Sequence, residues 1–117
     1  MTNYEAGMAK LIEMMREDYA RFKVRTEYCK STYEEVYAET EDMFTVESGR
    51  VYDKIIYNRA GSSGRSVNGF VCRKDTKKFK TGDMLMAAGW NGPATNFRRG
   101  NVIEGINPAR VRWTGIL

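Results

Sequence analysis

Met8, Leu11, Ile12, Met15, Tyr19 and Phe22 recur at intervals of three and four, while Glu13, Arg16, Glu17, Asp18 and Lys23 fall on the opposite side. That period draws one apolar, methionine-rich stripe along a helix. Thr2, followed three residues later by Glu5, supplies the capping box that starts it. A second capping pattern, Ser31-Thr32-Tyr33-Glu34, precedes Val36 and Tyr37. The helical front therefore reaches to about Met43, either as two helices broken between Thr26 and Ser31 or as one long bent helix. A front of that length has two seats for its Met and Tyr seam, the chain's own sheet or a second copy of the chain, so a homo-oligomer is expected.

From Phe44 the period falls to two. Val51 to Tyr57 alternates Val51, Asp53, Ile55 and Tyr57 against Tyr52, Lys54 and Ile56. Ser48-Gly49-Arg50 reads as the turn joining it to a strand over Met43 to Glu47. Ser66 to Arg73 reads as a further strand, with Val67 and Val71 on one face and Phe70 and Cys72 on the other. Asp83 to Ala88, after the turn Thr81-Gly82, is the next. Pro93 to Arg99 reads as a short helix with proline at its first position and Gly100 ending it. Val102-Ile103 and Val111-Arg112-Trp113 complete the strands. The expectation is an α+β fold in a single domain of residues 1–117, with a helical front over 1–43 and a β-rich body over 44–117.

Composition narrows the chemistry. The chain has 117 residues, 42% hydrophobic and 29% charged, and no run approaching the roughly 18 apolar residues of a membrane span. Met1 to Asp18 lacks the uninterrupted apolar segment of a secretory signal, so an intracellular location is expected. Cys29 and Cys72 have neither metal-site spacing nor the density of a disulfide scaffold, and both are read as reduced. No histidine is present, which removes the commonest general base and metal ligand and with it histidine-dependent hydrolysis and most zinc chemistry. No metal and no cofactor are expected.

Charge is divided between the halves. Residues 1–49 hold 6 Lys/Arg against 11 Asp/Glu, a net of −5, and residues 50–117 hold 13 against 4, a net of +9, which together give the overall +4. A basic, turn-rich body calls for an anionic partner. Asp53, Asp75, Asp83 and Glu104 are the only carboxylates in that half, too dispersed in sequence to suggest an acid/base couple, so a binder is expected rather than an enzyme.

Three segments carry the candidate binding residues. Gly61-Ser62-Ser63-Gly64-Arg65-Ser66 offers backbone amides, hydroxyls and the Arg65 guanidinium to a phosphate, although it lacks P-loop spacing and also reads as a plain hairpin turn. Trp90 and Asn91, with Asn96, Phe97, Arg98, Arg99 and Asn101, bring aromatic faces, carboxamides and guanidiniums within a dozen residues. The same residues also read as core, punctuation and a solvated end. Arg110 and Arg112, two apart in an extended stretch, share one strand face and could meet a phosphate or a neighbouring subunit's acidic helix. Lys74 to Lys80 reads as a basic solvated turn with one aromatic. Trp90, Phe97, Tyr52 and Tyr57 would serve equally as stacking platforms for a single-stranded nucleic acid, the alternative reading.

The order of Gly64-Arg65-Ser66-Val67-Asn68-Gly69-Phe70-Val71, Thr81-Gly82-Asp83, Ala87-Ala88-Gly89-Trp90-Asn91-Gly92-Pro93-Ala94 and Arg99-Gly100-Asn101-Val102 resembles the first-described family of phage Thoeris anti-defence proteins. The resemblance covers about residues 49 to 103. It departs at Asn68, where the pattern has histidine, and at Gly89 and Asn91, where serine and lysine are usual. It implies a phage protein in the host cytoplasm that sequesters a small cyclic ADP-ribose signal without cleaving it. It further implies dimers or higher assemblies, and in some members a separate site for cyclic oligonucleotides. Long nucleic acid and membrane are not among the implied partners.

Overall fold

The computed structural model describes residues 2–26, 28–59, 61 and 63–117. The helical front is two helices, α1 (Asn3–Val24) and α2 (Tyr33–Glu39). Thr2 and Glu5 close the expected capping box, the Thr2 hydroxyl accepting the Glu5 N–H at 3.1 Å. The second box is Thr32 with Glu35, one residue later than Ser31 and Glu34. With Thr32 as the cap, Val36 in the second turn points into the core and is 1% exposed. α2 docks on α1 through Arg16, whose Nε donates to Thr40 Oγ1 at 2.9 Å and whose guanidinium lies 4.4 Å from the Tyr37 ring centroid.

The methionine seam is spent on the chain's own sheet. Met8, Leu11, Met15 and Tyr19 are buried against Phe44, Ile55, Val71, Met84, Val102, Val111 and Ile116. Phe22, at the end of the stripe, remains 45% exposed. Gly7 lets the helix approach closely, because a Cβ there would stand 2.1 Å from the Val102 carbonyl oxygen.

The sheet is antiparallel with order β1-β2-β3-β4, formed by β1 (Phe44–Ser48), β2 (Tyr52–Asn58), β3 (Arg65–Cys72) and β4 (Met84–Leu85). The pairing steps from Ile55↔Gly69 to Ile56↔Val67, leaving Asn68 as a bulged residue. Plain alternation would put Val67 beside Val71. The extra residue reverses it, so Val67 lies with Phe70, Cys72, Phe79 and Leu85 on the face away from α1.

The expected strand Asp83 to Ala88 is broken. β4 belongs to the main sheet, whereas β5 (Ala87–Gly89) pairs with β6 (Gly92–Pro93) in a separate hairpin, and Asp83 makes only an isolated bridge to Asn101. The helix expected over Pro93 to Arg99 does not form. Pro93 lies in β6, the Ala94 N–H donates to Met86 O, the Arg99 N–H donates to Met84 O, and the Asn96 side chain accepts the Phe97 N–H. Strand partners and a side chain have taken the groups a helix would need.

Val102-Ile103 is likewise a turn, closed by Asn101 Oδ1, which accepts the N–H of Ile103 at 2.8 Å and of Glu104 at 2.9 Å. The short helix of the C-terminal half is a 3-10 turn, Pro108–Arg110, followed by β7 (Val111–Arg112) and β8 (Gly115–Ile116). Arg110 therefore sits in the 3-10 turn and does not share a strand face with Arg112, and Trp113 lies in the turn after β7. No helix among the described residues is long and apolar enough to cross a membrane.

Candidate functional site

The α1 side of the sheet bonds most of its polar groups internally, while the buried Asp53 Oδ1 accepts no hydrogen bond among the described residues. Asn68 Nδ2 donates to Trp113 O at 2.8 Å, Asp18 accepts the Trp113 N–H at 2.8 Å, and the Tyr4 hydroxyl donates to Asp53 Oδ2 at 2.6 Å. Asp53 is 5% exposed, and Arg73 Nε stands 3.5 Å from its Oδ1. Burial, then the hydrogen bond to Asp53, raise the Tyr4 hydroxyl far above the ordinary tyrosine range.

The other side carries the smaller apolar cluster of Phe70, Cys72, Phe79 and Leu85, bordered by two grooves. The first, about 440 Å³, is lined by residues 76–80, Asp83, Phe97 and Arg98. Its floor is built by local chemistry. The Thr76 N–H donates to Phe79 O and the Phe79 N–H to the Thr76 hydroxyl, closing a tight turn that presents Lys77 and Lys78, and the Asp75 carboxylate fastens Thr81 by its N–H and hydroxyl at 2.8 and 3.0 Å. Lys78 Nζ donates to Thr95 O.

Phe97 stands at the rim, 46% exposed. The Arg99 guanidinium lies 3.9 Å from its ring centroid and the Arg110 guanidinium 5.7 Å. Arg99 is buried, 7% exposed, with Nη2 donating to Asn96 Oδ1 and Nε to Phe97 O, both at 3.3 Å, and Nη1 3.7 Å from Met86 Sδ. Among the described residues no carboxylate lies within ion-pairing distance of it. Asn96, Phe97, Arg99 and Arg110 are thus brought together as one cationic, aromatic corner.

Arg98 and Asn101 are engaged within the protein. Arg98 Nη1 pairs with Asp83 Oδ1 at 3.0 Å and Glu104 Oε1 at 3.2 Å. Asn101 is buried and makes four bonds, donating to Thr81 O and Asp83 Oδ1 and accepting from Ile103 and Glu104. Burial pushes the Asp83 carboxyl up, but the bonds from Asn101, the Lys80 N–H and Arg98 outweigh it and hold it below the ordinary carboxylate range. Asp83 and Glu104, distant in sequence, therefore converge on one guanidinium.

The second groove, about 370 Å³, is lined by residues 47–52, Lys54, Phe70 and Asn91. Beside it Trp90 is 40% exposed, with Lys54 Nζ 4.3 Å and Arg65 5.4 Å from its ring. Arg65 also meets Glu47 at 3.4 Å. Ser66 is exposed and pairs with Tyr57. With Tyr57, Arg59, Gly64 and Arg65 it lines a small cavity of about 160 Å³. Ser62 of the proposed phosphate loop lies outside the described residues. Arg112 donates to Pro108 O and Val111 O.

Tyr52 packs edge-on against Phe70, while Tyr57 packs with Phe44 and Trp113 in the α1-side cluster. The four aromatics of the nucleic-acid reading thus lie on opposite faces. Lys77 and Lys78, read as a solvated connection, line the first groove, and the one signal that marked them was Phe79 inside the basic run. Lys54 beneath Trp90 carried no sequence signal. Burial pushes the Cys72 thiol up to about 11, so it is protonated at neutral pH. Among the described residues no group of three or more His, Cys, Asp or Glu side chains could hold a metal ion.

No curated protein and no solved structure matches the chain. A family model does match it over residues 2–116, and the chain belongs to that family, a family of unknown function (DUF7717).

Proposed function

We propose that the chain is a phage anti-defence sponge that binds and sequesters a small cyclic ADP-ribose-type nucleotide without cleaving it. The observation that carries this reading is the buried Arg99, which has no carboxylate partner among the described residues and underlies the half-exposed Phe97 ring at the edge of a 440 Å³ groove. A buried guanidinium without a counter-ion is costly in the empty protein, and an anion offsets that cost. An exposed ring beside it suits a purine base, and Lys77 and Lys78 suit phosphate oxygens.

A groove of this volume falls within the range of small-molecule sites, about 300–1,000 Å³. A single-stranded nucleic acid is favoured less, because its four candidate platforms lie on two faces of the sheet. Assembly belongs to the same reading. With the α1 seam occupied, the half-exposed Phe22 at its end, 5.2 Å from the Trp113 ring, is one apolar group still open to a second copy.

The test is capture followed by recovery. Protein mixed with cyclic ADP-ribose isomers, separated from free ligand and then denatured, should return the nucleotide with its chromatographic mobility unchanged. A converted product would replace the sponge with an enzyme, and no retained nucleotide would remove the reading.

A further inference from the structure

Glu104 belongs to no expected site, yet it controls two of the groove's cations. Its carboxylate pairs with Lys80 and with Arg98, the latter at 3.2 Å. Lys80 and Arg98 line the groove with Lys77 and Lys78. Those four cations face two carboxylates, Asp83 in the lining and Glu104 at the rim.

The two carboxylates differ in freedom. Asp83 is 2% exposed and is tied to Asn101, Lys80 N–H and Arg98. The Glu104 side chain is 46% exposed and, among the described residues, is held by its two ion pairs, while its backbone is pinned by the bond from its N–H to Asn101 Oδ1. Asp83 is fixed in the structure, and Glu104 can swing into solvent. Exposed ion pairs of this kind are weak and easily exchanged for a better anion.

We infer that Glu104 is an internal competitor: in the empty groove its carboxylate occupies Lys80 and Arg98, and phosphate oxygens of the ligand take its place. Asp83 keeps Arg98 oriented throughout, so the guanidinium is handed from Glu104 to the ligand without leaving the rim. The ligand must supply more than one charged oxygen to satisfy both cations, which fits a diphosphate. This rests on the groove being the nucleotide site.

The test uses the full chain, inorganic pyrophosphate as the probe, and calorimetry at fixed salt. Glu104→Gln keeps the side chain's size and leaves the Asp83 to Arg98 pair intact. It should bind pyrophosphate about fivefold more tightly than the wild type, the scale of one exposed ion pair. Glu47→Gln, an equal charge change in the second groove at a carboxylate that pairs with Arg65 instead of with Lys80 or Arg98, should shift affinity less than about twofold, since salt screens exposed charges that are not in contact.

A gain confined to Glu104→Gln supports the competitor. Equal or weaker binding by Glu104→Gln, or equal gains in both variants, overturns it while leaving the nucleotide site standing. No binding by either the wild type or Glu104→Gln overturns the competitor and the site together.

Discussion

The two faces of the central sheet solve opposite problems. On the α1 face, the buried Asn68 and the partly buried Asp18 are each bonded to the Trp113 backbone, and the apolar seam is closed over by Leu11 and Met15, both 0% exposed. On the other face a cluster of only four buried residues leaves Phe97 and Trp90 half exposed, with cations against their rings. The first face spends its residues on stability. The second retains a buried Arg99 with no carboxylate partner among the described residues, and an open groove, features that cost stability and suit the proposed capture of an anion.

The largest expected effect breaks the first face. Leu11→Ala should cost about 2–5 kcal/mol, because it opens a cavity between α1 and the sheet. Urea denaturation checks this, and nucleotide affinity of the protein that remains folded should be unchanged. Next is Arg99→Met, which keeps the stem's packing and removes the charge. Affinity for the nucleotide should fall at least tenfold, or about 1.4 kcal/mol, while the denaturation midpoint holds or rises. A fall in both would mean that Arg99 is a structural tie and that the two faces do not differ as described.

Tyr4→Phe tests the sealed face at a single bond, with less at stake than Leu11→Ala. It removes the bond to the buried Asp53 carboxylate and should cost about 1.5–3 kcal/mol, with no change in binding. Smallest is the acid limb of stability. The folded Asp83 carboxyl titrates below its unfolded value, so its contribution is fully present above about pH 4 and is lost as pH falls through the folded value. Asp75, held low by the bonds from Thr81, and Glu104, held low by Lys80 and Arg98, act in the same direction. Asp83→Asn should flatten the pH dependence below about pH 4 without abolishing it, as read from denaturation midpoints.

Much of the sealed face was legible in the sequence, because it rests on local periodicity. The three- and four-residue spacing from Met8 to Tyr19, the Thr2 box and the turn at Gly49 are short-range signals, and α1, β1 and β2 follow from them. The Asn68 bulge was not legible. It appears only when β3 is set against β2, and it reverses the side chain of Val67.

The open face is written mostly in long-range partners. Pro93 to Arg99 has the punctuation of a helix, yet its amides are claimed by Met86 and Met84 from another segment. Of the site, the cluster of Asn96, Phe97 and Arg99 was legible from composition and spacing. That Arg98 is bound by Asp83 and Glu104 while Arg99 has no such partner among the described residues was not, since nothing local distinguishes two adjacent arginines. Asn101 has the residue type of a base reader, but its bonds to Thr81, Asp83, Ile103 and Glu104 make it the fastening of the rim.

The most direct test of a capture site on the open face is isothermal titration of the wild type with cyclic ADP-ribose isomers, repeated on Arg99→Met. The account predicts saturable, tight binding of one isomer by the wild type and at least about tenfold weaker binding by a stably folded variant. No heat with any isomer, or equal binding by both proteins, would contradict it.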